Sequence, residues 1–427
     1  MGDAVTRCQL PNGLTVLLKE IHTSPIVSQL IWYRAGSRDE TPGRTGISHW
    51  CEHMLFKGTP QFPAGELDRL ISRDGGYWNA FTFLDWTTYF ETMPSDKVDL
   101  VLRLEANRMV NSLFEADEVA SERTVIISER QGEENEPLFR LAEEVQAAAF
   151  RVHPYHHEII GDLADLQSMQ RDDLYQYYRT YYQPNNAVLA LAGDFESEQM
   201  LERIQDLYAG LPAGPGVPRL KRPEPPQTGE RRLTVEGPGE TTYLQLSYRA
   251  LAGNDPDFFA FTLLDSLLTG PSNLNMFGGG ISNKTSRLYR ALVERELAVS
   301  LNGGLSATVD PYLYNIHLTI HPAATTEQCL EAIESEIARL QDAPPPADEL
   351  ARAVKQARAL FAYGSESISN QAFWLGFAEM FASYDWFLKY VDWLAGVTPE
   401  DVQRMAQTCL RPQSRTLGVY LPTNRHA

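Results

Sequence analysis

The stretch from Leu211 to Arg231, LPAGPGVPRLKRPEPPQTGER, is studded with proline and glycine, shows no apolar periodicity, and cuts the 427-residue chain nearly in half. Proline removes backbone donors and glycine removes conformational restraint, so neither a helix nor a central strand continues through such a run. The two halves repeat an order of elements. NNAVLALAGDF reads as a buried strand closing at the Gly193-Asp194 turn, followed by the helical SEQMLERIQDLYAGL; the second half closes on the helical PEDVQRMAQTCL and the strand SRTLGVYLP. TGISHWCEHMLFKGT, a strand and a long helix in the first half face FFAFTLLDSLLTG, a strand pair and a long helix in the second. The expectation is an α+β fold of two homologous sheet-plus-helices domains, residues 1–214 and 232–427, joined by a linker at 215–231.

Within the first half, IVSQLIWYRAGS alternates as a strand, Gly46 to Phe56 reads as a helix, and NAFTFLDWTTYFETM reads as a second strand. Long helical stretches follow in KVDLVLRLEANRMVNSL and DEVASERTVIISERQGEEN. The helix from Gly46 carries His49-Trp50-Cys51-Glu52-His53. Positions i and i+4 stack on one helix face, so both imidazoles can aim at one ion. Glu52, three residues after His49, falls on nearly the same face, within reach of a proton on an attacking water. A catalytic zinc takes three protein ligands and keeps one position open. Glu129, in the helical ERTVIISER, is the candidate for the third, with Glu122 two turns earlier on the same face. The bare pentapeptide is also compatible with two structural histidines; the carboxylates around Glu129 are what favour the metal.

Charge and cysteine content narrow the partners. Thirty-seven basic against 56 acidic side chains give a net charge of −19, which repels nucleic acid and anionic membrane surfaces and favours basic or neutral partners. Cys8, Cys51, Cys329 and Cys409 show no CxxC pairing, which points to free thiols in a reducing compartment. No apolar run is long enough to span a membrane, and the N-terminal residues run straight into the strand-like LTVLL, so a cytoplasmic location is expected.

HWCEH followed by Glu129 resembles the inverzincins of the pitrilysin and insulinase type. LPNGLTVLL, AGSRDETPGRTGISHWCEHMLFKGT, GGYWNAFTFLDWTTYFETM, HPYHHEIIGDLADLQSM, YYQPNNAVLALAGDF and SRLYRALVERELAVS are similar to family blocks in family order. The size and two-half plan are most similar to mitochondrial processing peptidase subunits and their bacterial relatives, each half a clamshell. The resemblance implies a zinc-dependent endopeptidase with one Zn²⁺ per chain on His49, His53 and Glu129, Glu52 as general base, and Glu122 as an accessory acid behind the site. It also implies peptide binding by strand addition along NAFTFLDWTTYF, with Asn79, Ala80 and Phe81 as the contact residues. A non-catalytic peptide-binding subunit of the same fold is the alternative, although such chains usually lose the zinc residues.

The sequence departs from the family at one block. Where self-sufficient members read like LREKRGLAY, this chain reads LVERELAVS, placing Val293 at the Arg position and Val299 at the Tyr position. The implied arrangement is a dimer, preferably with a related subunit that lacks HxxEH and supplies the Arg/Tyr pair, the two enclosing a chamber; a homodimer stays open.

Overall fold

The computed structural model describes residues 5–219, 221–275 and 278–423. Among them, β1 (Val5–Gln9), β2 (Thr15–Glu20), β3 (Ile26–Tyr33), β4 (Tyr77–Thr82), β5 (Thr87–Pro94) and β6 (Ala187–Gly193) form one sheet in the order β1-β2-β6-β3-β5-β4. A second sheet holds β7 (Arg231–Gly237), β8 (Tyr243–Arg249), β9 (Ala298–Leu305), β10 (Leu313–Ile320) and β11 (Arg415–Pro422) in the order β7-β11-β8-β10-β9. The repeat read in the sequence is present over five strands, β2-β6-β3-β5-β4 matching β7-β11-β8-β10-β9, with β1 an addition at the edge of the first sheet. In each sheet the last strand of the half runs parallel to the first of this common set (β6 to β2, β11 to β7), and the remaining pairs are antiparallel. The central β6, AVLALAG, is buried along its whole length, as expected of a strand covered on both faces.

NAFTFLDWTTYFETM differs from its reading as a single strand. It is the greater part of a hairpin, β4 and β5, turned where the Phe83 N–H donates to the Trp86 carbonyl at 2.8 Å. Register runs from Tyr77↔Thr92 to Thr82↔Thr87. The hairpin leaves β4 bonded to β5 alone, so its outer edge is unpaired in the sheet.

Two compact units result, and each takes a segment from the other half. One unit comprises residues up to Arg130, His157–Arg222 and Ser365–Tyr384; the other takes Gln131–His156, Pro223–Gly364 and the residues from Asp385. The helix Ile368–Phe381, from the second half of the chain, lies on the first sheet: Phe373 packs edge-on against the buried Trp32 at 5.3 Å, and a Cβ at Gly376 would collide with the Trp32 indole. The helix Pro137–Ala149, from the first half, lies on the second sheet, where Leu141 and Val145 pack with Tyr420, Leu233, Val235 and Tyr243. A Cβ at Gly418 would collide there with Val145. These helices hold equivalent places in the two repeats, each preceding the last strand of its half, so the exchange is reciprocal.

Behind β5, Arg108 is fully buried between Glu105, whose Oε2 accepts from its Nε at 2.8 Å, and Glu91, 3.2 Å from Nη2. Its guanidinium lies 4.2 Å from the Tyr89 ring centroid. The four cysteines are free thiols. Among the described residues no helix is long and apolar enough to cross a membrane.

Candidate metal centre

The histidine motif forms α1, Ile47–Met54. Trp50, Cys51 and Met54 are buried on its inner side, so the helical period turns His49 and His53 to the opposite face. Its N-terminus is set by a carboxylate outside the helix. Glu40 accepts from the Gly46 N–H through Oε2 at 2.8 Å and from the Ser48 N–H through Oε1 at 2.9 Å, while His157 Nε2 donates to Oε2 at 2.8 Å. Backbone donors without intrahelical partners are thus satisfied, and a negative charge sits at the positive end of the helix dipole. Gly46 has φ 84°, and a Cβ there would collide with the Ile160 carbonyl, so the entry to the helix requires glycine.

His49 Nε2 and His53 Nε2 lie 3.2 Å apart, and Glu129 Oε2 is 3.9 Å from the first and 3.8 Å from the second. One ligand atom from each residue falls within 4.8 Å of the others. Glu129 comes from the helix Ala116–Glu133, which also carries Glu122. His53 Nδ1 meets Glu122 Oε1 at 2.8 Å. An ionised carboxylate only accepts, so Nδ1 carries the proton and Nε2 turns its lone pair toward His49 and Glu129. Lys57 Nζ holds the other oxygen of Glu122 at 2.5 Å.

The electrostatics follow from these contacts. Burial, reinforced by the neighbouring His53, pushes His49 down to about 3, so its imidazole is neutral at pH 7. For His53 burial acts the same way, but the Glu122 hydrogen bond and the charges of Glu52, Glu122 and Glu129 outweigh it and hold the ring above its ordinary value. Burial pushes Glu52 up to about 7, against the pull of the Thr82 hydroxyl, which donates to Glu52 Oε2 at 2.6 Å.

This donor set fits a divalent transition ion. Tetrahedral bonds of about 2.0–2.1 Å place neighbouring donor nitrogens about 3.3 Å apart, close to the separation of the two imidazoles. The set of two imidazoles and one carboxylate is that of a catalytic rather than a structural zinc site, since it leaves a coordination position open.

The structure therefore brings His49, His53, Glu129, Glu52 and Glu122 into one cluster. Asn79, Ala80 and Phe81 lie on the edge strand β4, joined to the cluster through Thr82 at its end. Ala80 is buried, Asn79 is exposed and its Oδ1 accepts from the Ala80 N–H at 2.9 Å, and Phe81 stacks on Phe90. Val299 is 57% exposed on β9, the edge of the second sheet, and Val293 ends a turn of π-helix. Sequence reasoning missed Thr82, Glu40, His157 and Lys57. Thr82 adjoins the predicted contact residues; nothing local marks the other three, whose partners are 6 to 117 positions away.

Comparison with known proteins adds the family. A model described as insulinase (peptidase family M16) matches residues 15–163, and one described as the peptidase M16 inactive domain matches residues 168–357. The chain belongs to the M16 peptidase family. Its relatives include a probable mitochondrial-processing peptidase subunit beta of Arabidopsis thaliana, 28% identical over 78% of this chain and 62% of that protein. A zinc protease of Helicobacter pylori, PqqE, is 33% identical over 61% of this chain and 60% of its own length, so this M16 chain spans about three fifths of both relatives. The crystal structure of a protease from Helicobacter pylori superposes with a TM-score of 0.92 at 26% identity, covering 98% of this chain and 100% of the other.

Proposed function

We propose that this M16 chain is a zinc-dependent endopeptidase that hydrolyses peptides or unfolded segments held in extended form. The observation that carries the reading is the convergence of His49, His53 and Glu129 ligand atoms within 4.8 Å, with Glu52 next to His53 and hydrogen-bonded to Thr82. His49, His53 and Glu129 would hold one zinc ion, which supplies Lewis-acid polarisation of the scissile carbonyl and lowers the pKa of water to about 7. Glu52 takes the proton of the attacking water and returns it to the leaving amine. Thr82 fixes one oxygen of that carboxylate, leaving the other for the proton. Glu122, braced by Lys57, keeps the His53 ring in the tautomer and orientation that ligation needs.

A substrate strand adds to the unpaired edge of β4, where backbone hydrogen bonds hold it whatever its sequence and Asn79, Ala80 and Phe81 set its register. Valine at 293 and 299 supports a second, related subunit that supplies the Arg/Tyr pair and closes a chamber around the substrate. The free thiols support a reducing, cytoplasmic setting. The test measures bound zinc and cleavage of a fluorogenic peptide set by wild type, Glu52→Gln, and wild type mixed with proteins that co-purify from the native host. Zinc retained with turnover lost in Glu52→Gln supports the peptidase; zinc-loaded wild type that cleaves nothing with any partner supports a peptide-binding subunit instead.

A further inference from the structure

The second unit carries an open groove of about 520 Å³ whose lining includes Arg287, Arg290, Arg295, Arg339 and Arg352. Its floor is an ion pair: Arg287 Nε donates to Glu349 Oε1 at 2.9 Å and Arg287 Nη2 to Oε2 at 2.6 Å, both side chains being largely withdrawn from solvent. Arg290 and Arg352 approach the same carboxylate, their Nη2 atoms 4.0 and 3.8 Å from Oε1. Those distances exceed a hydrogen bond. One carboxylate thus faces three guanidinium groups and satisfies one of them. Arg290 Nε adds only a 3.5 Å contact to the Ser286 carbonyl, and Arg339 is engaged by Glu336 at 2.8 Å. The remaining acid in the lining is Asp348, so five arginines stand against three carboxylates and the groove keeps an excess of two positive charges. This occurs on a chain whose net charge is −19.

The backbone under the cluster is also unusual. Tyr289–Val293, which carries Arg290, is the one π-helical turn among the described residues, and Glu296 just beyond it has φ 57°. A π-turn inserts a residue into a helix, is less stable than the α-form, and recurs at functional sites. A non-glycine residue at positive φ adds a further cost. Both features fall within the segment from Arg287 to Glu296.

We propose that this groove binds a small multivalent oxyanion with the chemistry of a phosphate group. Arg290 and Arg352 supply the donors, and the Arg287–Glu349 pair anchors the floor between them. Guanidinium forks match the oxygens of phosphate in paired hydrogen bonds, and a doubly charged anion balances the excess of two. Glu349 keeps the three arginines from repelling one another when the groove is empty of anion. The proposal is independent of the metal centre and of the peptidase reading.

Isothermal titration of the full chain with inorganic phosphate and with glycerol 2-phosphate, against sodium chloride at matched ionic strength, tests it. Wild type is expected to bind at one saturable site, and Arg290→Gln/Arg352→Gln to bind at least tenfold more weakly. Both replaced side chains are half exposed, so the thermal midpoint in phosphate-free buffer should be unchanged. Arg290→Lys/Arg352→Lys, which keeps the charge and loses the forks, should fall between. Binding of both anions identifies the phosphate group itself as the ligand, and binding of one alone identifies its free or esterified source. Absence of saturable binding beyond chloride in wild type, or equal binding by the glutamine variant, overturns the assignment.

Discussion

The two sheets share one order and one set of directions over five strands, yet among the described residues only the first has histidines on the helix that follows its third common position. In the first unit that helix is α1, with His49, Glu52 and His53 on one face and Glu40 at its N-terminus. The helix after β8, Phe258–Leu268, is FFAFTLLDSLL, and every residue of it is buried. Its one charged residue is Asp265, which accepts from Thr269 Oγ1 at 2.5 Å and Ser272 Oγ at 2.6 Å. Equal topology therefore supports two outcomes. A helix buried on all sides closes a core, whereas the same position with one polar face, near an edge strand and a glutamate-bearing helix, builds a site.

The largest effect that would sharpen this contrast is on chemistry. Glu52→Gln is expected to lower peptide turnover at least 10²-fold, the scale of general acid–base catalysis, with zinc content unchanged. Zinc analysis alongside a cleavage assay reads both, and turnover surviving in the variant would remove Glu52 from the mechanism.

Next in size is the exchanged helix packing, which both units use. Leu141→Ala, in the seam of the second unit, should cost about 2–5 kcal/mol of stability, the range for deleting a buried leucine. Urea unfolding measures it; a loss below about 1 kcal/mol would mean that the exchanged helix contributes little to that sheet.

A smaller effect separates the two helices by pH. Burial pushes Asp265 up to about 6 from an ordinary 3.8, against the pull of the Ser272 and Thr269 hydroxyls. Between those values the folded state binds more protons than the unfolded chain, so this group makes stability fall as pH rises through the window, and the penalty is complete above about 6. Asp265→Asn should therefore look more favourable relative to wild type at pH 7.5 than at pH 4, by roughly 2–3 kcal/mol, measured as the difference in unfolding free energies at the two pH values. An identical difference at both would contradict the buried, proton-binding assignment.

The smallest effect concerns the cap of α1. Glu40→Ala should destabilise the first unit by about 1–2 kcal/mol, in the range for loss of a helix cap. It should also accelerate zinc release measured with a chelator, because the helix that presents both imidazoles loses its fixed start. Release at the wild-type rate would separate the cap from the site.

Much of this architecture is legible in the sequence. The proline- and glycine-rich run and the repeated order of elements announce two related sheets, and the helical spacing of His49, Glu52 and His53 announces a shared face. Glu129 was legible through its residue type and its helix. The exchange of Pro137–Ala149 and Ile368–Phe381 was not, because an amphipathic pattern shows that a helix has an apolar face without showing which sheet will cover it. The hairpin at Phe83–Trp86 was hidden by an aromatic-rich run that suits a strand throughout, its turn lacking glycine and proline. Glu40 and Lys57 act through tertiary proximity, which no local spacing encodes.

The central claim is that His49, His53 and Glu129 form one zinc site, and zinc content per chain tests it most directly. Mass spectrometry of metal in wild type and in His53→Ala, purified under identical zinc supply, should give about one ion per chain for the first and close to none for the second. Wild type without zinc, or a His53→Ala chain that retains it in full, would contradict the site.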